Sequence, residues 1–194
     1  DTWFIWFKVA VASIPAVLFG LVLDDYMEMY FNKPLVVAAM LIVYGFAFIW
    51  IETRQKSRHA HEINTFQTLT FKDAFLIGCF QALAIIPGTS RSGSTILGAL
   101  LLGTSRFIAT EFSFYMSIPI MFGASFKKLL KFGFIFSQAE LIYLGVGMFV
   151  AFIVSVIAIK FLLNYIKRND FKAFGYYRII LGSIITLYFL LTGR

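Results

Sequence analysis

Apolar residues run along this chain in blocks of about 18–24, separated by short polar stretches, and such blocks are long enough to cross a hydrocarbon core about 30 Å thick. The first span is expected over residues 3–23. Trp3 and Trp6 suit one membrane interface, Lys8 can extend its amine back toward water, and Pro15 should kink the helix. Residues 24–33 (DDYMEMYFNK) read as a short acidic turn, with Asp24, Asp25 and Glu28 in water, and a second span follows over 34–51. The longest polar stretch, 52–73, carries Arg54, Lys56, Arg58, Lys72 and both histidines. Further spans are expected over 107–126, 140–163 and 176–191, with Arg178 near the start of the last. The loop 127–139 holds Lys127, Lys128 and Lys131, and the loop 164–177 holds Lys167, Arg168 and Lys172.

One segment breaks this rhythm. Residues 74–86 (AFLIGCFQALAII) and 92–103 are apolar but would give only about 20 Å of helix each, too short to cross. Between them lies PGTSRSGSTI, residues 87–96. Either one interrupted helix crosses here, or two half-helices over 74–103 form a re-entrant hairpin that returns to the side it left. Basic residues concentrate in cytoplasmic loops. The re-entrant arrangement leaves nine inside and four outside, whereas crossing gives seven and six, so the hairpin obeys the rule better. The fold class is therefore all-α and polytopic: a single integral membrane domain over 1–194, with about five transmembrane helices plus one re-entrant hairpin. Paired half-helices of this kind are a device of internally repeated membrane folds. These residues hold no second copy of the loop, so a partner repeat is expected in a missing portion, with this chain then half of an inverted-repeat fold.

Composition agrees. With 60% hydrophobic residues, 14% charged and 24 phenylalanines, a soluble domain of 194 residues could not hide its apolar surface. The net charge of +7 would suggest nucleic acid in a soluble protein. Here the basic residues lie between apolar runs, so they suit loops facing anionic lipid, with no nucleic-acid partner. The single cysteine, Cys79, excludes an internal disulfide. No signal peptide is visible, and because the chain starts at Asp1 and enters directly into a span, an N-terminal portion is expected to be missing.

The polar decapeptide holds the candidate chemistry. Thr89, Ser90, Ser92, Ser94 and Thr95 supply hydroxyls, Gly88 and Gly93 let backbone approach a ligand, and Arg91 supplies a guanidinium. Burying a hydroxyl unpaired costs about 2–7 kcal/mol, and a charge within an apolar stretch at least about 2.5–3.5 kcal/mol, so the segment should serve a site. Free N–H groups at a helix start, hydroxyls and one guanidinium suit an oxyanion such as phosphate. The bland alternatives are an arginine paired with a carboxylate, hydroxyls that cap the second half-helix, and glycines used for helix contact. Gln81 is expected to hydrogen-bond across the bundle. Glu111 is expected to support the site by pairing with Arg91 or Arg106. His59 and His61 have spacing that could serve a metal, but no third ligand accompanies them.

These residues also carry a resemblance. GCFQALAIIPGTSRSGSTI, followed by GTSRFIATEFSFYMSIPIMFGA, resembles the second signature region of the bacterial undecaprenyl-diphosphatase family, the bacitracin-resistance phosphatases. The flanking spans, including IPAVLFG at 14–20, resemble it along the whole of this chain, which corresponds to roughly the C-terminal two-thirds of a family member. The resemblance implies hydrolysis of undecaprenyl diphosphate to the monophosphate lipid carrier of cell-wall synthesis, in the bacterial inner membrane. It implies contact of Ser90 and Arg91 with the diphosphate, a pocket shaped by Thr95 and the glycines, and a divalent cation, Mg2+ or Ca2+, for which this chain shows no ligand set. The family's first signature, with paired glutamates and a Ser-Ser-Thr-Gly-His run, has no counterpart here and would supply the nucleophile and base. A type-2 phosphatidic-acid phosphatase would need histidines near the arginine, which are absent. The rival classes are a lipid-phosphate transporter or flippase using the same anion loop, and a structural subunit, which would leave Arg91 unexplained. Oligomeric state is not legible.

Overall fold

The computed structural model describes residues 2–55, 63–133 and 136–192. Seven α-helices follow in order among them: α1 (Thr2–Phe31), α2 (Pro34–Gln55), α3 (Phe71–Ala82), α4 (Arg91–Leu101), α5 (Arg106–Phe132), α6 (Gln138–Ile166) and α7 (Lys172–Thr192). A single 3₁₀ turn, Leu83–Ile85, extends α3. The only β pairing among the described residues is one isolated bridge between Ile63 and Thr104. This is an all-α polytopic membrane protein. Five helices, α1, α2, α5, α6 and α7, are long and apolar enough to cross a membrane.

Local chemistry sets the helix starts. Thr70, Ser90, Ser105 and Ser137 each cap the helix that follows, accepting a backbone N–H three residues on. With Asp73 and Glu140 as return partners, Thr70 and Ser137 complete capping boxes. Two stretches expected as loops are helical. The acidic stretch expected to turn at 24–33 continues α1 as far as Phe31, because neither glycine nor proline interrupts it before Pro34. Likewise Lys127, Lys128 and Lys131 lie on α5, which ends only where Gly133 adopts φ +84°.

The hairpin is built as the short apolar runs demand. The 12 residues of α3 and 11 of α4 span about 18 and 16 Å. Its two feet lie side by side: Ile63 N–H donates to Gly103 O at 3.4 Å and Ser105 N–H to Ile63 O at 2.9 Å. The chain thus leaves the hairpin at the end where it entered. At that end Glu52, 0% exposed, accepts Arg106 Nε at 3.0 and 3.1 Å, Arg106 Nη2 at 2.6 Å and the Phe171 N–H at 3.1 Å. One carboxylate therefore joins the end of α2 to the starts of α5 and α7. Arg106 and the start of α7 share the end at which the hairpin opens, as the re-entrant arrangement requires.

Lys8 does not reach for water as expected. It is 2% exposed, and its Nζ donates to Phe66 O at 2.7 Å beneath the rings of Phe4 and Phe71. Helix α1 runs parallel to α3 at very short range, because a β-carbon on Gly78 would lie 2.1 Å from Ala12 O. Helix α7 runs antiparallel to α2, with Gly175 on Gly45 and Gly182 on Ala38. The core collects Val9, Ala12, Ile77, Ala99, Phe112 and Met116 around the hairpin. By contrast α6 leaves its apolar faces uncovered by the rest of the described chain. Lys56, Arg58, His59 and His61 lie outside the described residues.

Candidate active site

The hairpin tip is a turn pressed onto α2. Gly88 takes φ +92°, a conformation that L side chains rarely adopt, and a β-carbon there would lie 2.6 Å from the Val37 Cα. The backbone then re-enters helical geometry at Arg91, with Ser90 as cap: its Oγ accepts the Gly93 N–H at 3.1 Å. The first N–H groups of any helix have no acceptor within it. Ser90 takes that of Gly93, and those of Arg91 and Ser92 have no acceptor within the helix.

A cavity of about 440 Å3 opens at this point between α1, the hairpin and α5. Its polar lining is Gln81, Arg91 and Lys127; its walls are apolar, with Val17, Gly20 and Leu21 on one side and Pro119 and Ile120 on the other. Gln81 is 3% exposed, and neither atom of its amide has a hydrogen-bond partner. Nη1 of Arg91 is buried without one as well. A buried donor or acceptor left unmet costs about 1–3 kcal/mol. Three such atoms on one cavity describe a site built for a polar guest. This corrects the expectation that Gln81 bonds across the bundle. The bland account of Arg91 also fails, since no carboxylate meets it among the described residues.

The hydroxyls divide into two groups. Ser94 is fully buried and donates to the Tyr44 phenol oxygen at 2.9 Å; Thr95 bonds with Ser113 on α5. Thr89 donates back to Ile86 O at 2.6 Å. These three were expected to bind substrate, but a buried hydroxyl needs a permanent partner, and each has found one in the protein. Gly93 is likewise buried, against Ser90. Ser90 and Ser92, both half-buried, stay beside Arg91 at the helix start, and among the described residues no hydrogen bond to the Ser92 hydroxyl is found.

Glu111 is not where it was expected. Its anticipated partner Arg106 is held by Glu52, and Glu111 lines a different cavity, of about 590 Å3, together with Lys8, Asn64 and Gln67 near the feet of the hairpin. The structure adds residues that the sequence reading passed over: Lys127 on the cavity, and Tyr44, Ser113 and Arg178 behind the loop. Arg178 donates to Gly88 O at 2.9 Å. As an arginine within an apolar span it carried the same signal as Arg91.

The chain matches the family described as bacitracin resistance protein BacA over residues 1–184. It is 61% identical over 190 residues to the undecaprenyl-diphosphatase of Acetivibrio thermocellus, covering 98% of this chain and 70% of that protein. Identity to the undecaprenyl-diphosphatase of Enterococcus faecalis is 56% over 193 residues, with the same coverage of 98% and 70%. For that of Lactiplantibacillus plantarum it is 53% over 194 residues, again 98% and 70%. The motif at the hairpin tip and a match spanning nearly the whole chain point the same way: this chain belongs to the BacA family of bacitracin resistance proteins.

Proposed function

We infer that this protein hydrolyses undecaprenyl diphosphate to undecaprenyl phosphate and inorganic phosphate, a step that returns the lipid carrier to cell-wall synthesis and confers bacitracin resistance. Its curated relatives carry the name undecaprenyl-diphosphatase at 61% and 56% identity. Within the fold, the observation that carries the reading is the cavity where Arg91 Nη1 and the Gln81 amide are buried without partners at the start of α4.

Phosphoryl transfer needs little covalent help from the protein; it needs position and neutralised charge. The guanidinium of Arg91 can present parallel donors to two phosphate oxygens. Beside it stand the free N–H groups of Arg91 and Ser92, with Ser90 and Ser92 hydroxyls at the same helix start and Gln81 facing them. In the net reaction water adds across the terminal phosphoanhydride: the bridging P–O bond breaks, the lipid monophosphate leaves with the electron pair, and the water's oxygen and protons end on the two phosphate products. Donors fixed before the reaction meet the charge that grows on the leaving oxygen. The apolar walls of α1 and α5 suit the first isoprene units of the chain. Lys127, farther along α5, suits the anion's approach.

The cation implied by resemblance does not fit these residues. Mg2+ and Ca2+ take carboxylate and carbonyl oxygens, whereas this cavity offers two cationic side chains and one amide oxygen. Among the described residues no group of three potential ligands is found.

Orientation follows from charge. Arg54, Lys72, Arg106, Lys167, Arg168 and Lys172 lie at the end where the hairpin opens, which supports reading that end as the cytoplasmic one. The cavity reaches Gly123 and Lys127, toward the other end of α5, so the site serves the outer leaflet of the bacterial inner membrane. The deciding measurement is phosphate release and thermal stability of the intact protein in detergent. Arg91→Ala should lose about a hundred- to a thousand-fold in turnover with the fold kept, and Arg91→Lys should also be impaired. Near-normal turnover, or loss only in step with unfolding, would refute the role of Arg91.

A further inference from the structure

Arg178 stands in the apolar span of α7, outside the cavity, and no carboxylate pairs with it among the described residues. Among the described residues its one hydrogen bond is to a neutral oxygen, Gly88 O, at 2.9 Å across 90 residues of chain. The guanidinium carbon lies 5.7 Å from the centre of the Tyr44 ring, and the Tyr44 hydroxyl accepts from Ser94 on α4. Its Nε is buried with no acceptor. A cation in hydrocarbon is expensive, and those that persist mark function. Here the charge is spent on a single turn, the one that precedes the anion-binding helix start.

The direction of that carbonyl matters. A peptide unit points its C=O and N–H to opposite sides, so a Gly88 carbonyl turned inward would set a negative dipole against an anion. Glycine at φ +92° gives the tip the freedom to take other conformations. The guanidinium holds the carbonyl toward α7, and through Tyr44 and Ser94 the same cluster grips the first turn of α4.

We propose that Arg178 is a positioning residue of the diphosphate site: it fixes the Gly88 carbonyl and the start of α4 so that Arg91 and the free N–H groups meet the reacting phosphate. The proposal rests on the reading of the hairpin tip as the diphosphate site. It makes Arg178 act on the rate step more than on substrate capture, because the residue touches the loop and not the lipid.

The test uses the intact protein in detergent with farnesyl diphosphate as the probe substrate, and reads kcat, KM and the thermal midpoint for Arg178→Ala, Arg178→Lys, Arg91→Ala and the Arg91→Ala/Arg178→Ala pair. Misplacing a reacting group by about 1 Å can lower a rate about a hundredfold. Arg178→Ala should therefore lower kcat by about ten- to a hundredfold with KM changed much less. Arg178→Lys, which keeps one donor for the carbonyl, should recover part of that loss. In the Arg91→Ala background the second substitution should change kcat little, because the group being positioned has gone. Wild-type kcat in Arg178→Ala overturns the proposal, and so do losses that multiply independently in the pair. Should Arg178→Ala not fold, Arg178→Lys decides alone: a lowered kcat at an unchanged thermal midpoint supports the proposal, and a wild-type kcat overturns it. Unimpaired turnover in Arg91→Ala is a separate failure, that of the diphosphate site itself.

Discussion

Glu52 offers the sharpest test of how the hairpin is held. Its carboxylate is 0% exposed and has three contacts to Arg106 and one to the Phe171 N–H. Glu52→Ala leaves a guanidinium and a backbone donor without an acceptor. Breaking a buried pair from one side costs about 3–5 kcal/mol, and an orphaned N–H about 1–3. The Arg106 side chain is 28% exposed, so water recovers part of the first amount. The net is about 3–4 kcal/mol for Glu52→Ala, and about 1–2 for Glu52→Gln, which keeps an oxygen but loses the charge. At this chain length each kcal/mol moves the midpoint by about 2–4 °C, so Glu52→Ala should melt roughly 6–16 °C lower. Thermal unfolding of the intact protein in detergent measures this, and turnover per folded molecule should hold because the clasp lies at the far end from Arg91. Glu52→Met with Arg106→Met should regain most of the loss, since an apolar pair of similar volume can replace a buried ion pair. A Glu52→Ala variant within about 1 kcal/mol of wild type would refute the reasoning, as would a double variant no better than Glu52→Met alone.

Two further outcomes are expected. Gln81→Leu removes an amide buried without partners, so the protein should hold or gain stability by about 1 kcal/mol while KM for a polyprenyl diphosphate rises; a destabilised variant with unchanged KM would count against the site. In a Cys79→Ser background, a membrane-impermeant maleimide added to whole cells should label Lys127→Cys and spare Lys172→Cys. Labelling of both, or of Lys172→Cys alone, would overturn the orientation.

The long helices were legible because membrane spans are written in length and hydropathy, signals that do not depend on partners. The hairpin was legible for the converse reason, since two runs too short to cross flank a polar tip that hydrocarbon would not tolerate. What the sequence could not give was the pairing of polar groups. Glu52 reads as the start of a charged loop until the fold brings Arg106 and Phe171 to it, 54 and 119 residues away. Glu111 was expected to pair with Arg91 or the nearer Arg106, but Arg106 belongs to Glu52 and Glu111 lines the other cavity; distance in sequence says little about distance in a bundle. The hydroxyls misled in the same way: Ser94 and Thr95 look like ligands beside Arg91, but Tyr44 and Ser113 lie 50 and 18 residues off. Arg178 could have been found by the rule applied to Arg91, that an arginine in an apolar span asks for a reason.

The division among the hydroxyls bears on how such a loop works. A site that bound phosphate through five free hydroxyls would have to orient five rotors each time, with water competing for every one. Here Thr89, Ser94 and Thr95 are committed to Ile86 O, Tyr44 and Ser113. Arg178 holds the turn at Gly88 O, and Val37 backs it. The hairpin tip is thus anchored to α2, α5 and α7 before any substrate arrives, while its feet are tied by Ile63 and the clasp at Glu52. Donors already fixed need no reorganisation when charge develops, which is where preorganised sites gain most of their rate. What must still yield to a lipid is the wall facing the cavity. On α1 and α5 that wall carries Gly20 and Gly123, where a β-carbon would meet nothing within 4 Å, so room for movement lies on the side of the prenyl chain and rigidity on the side of the phosphate.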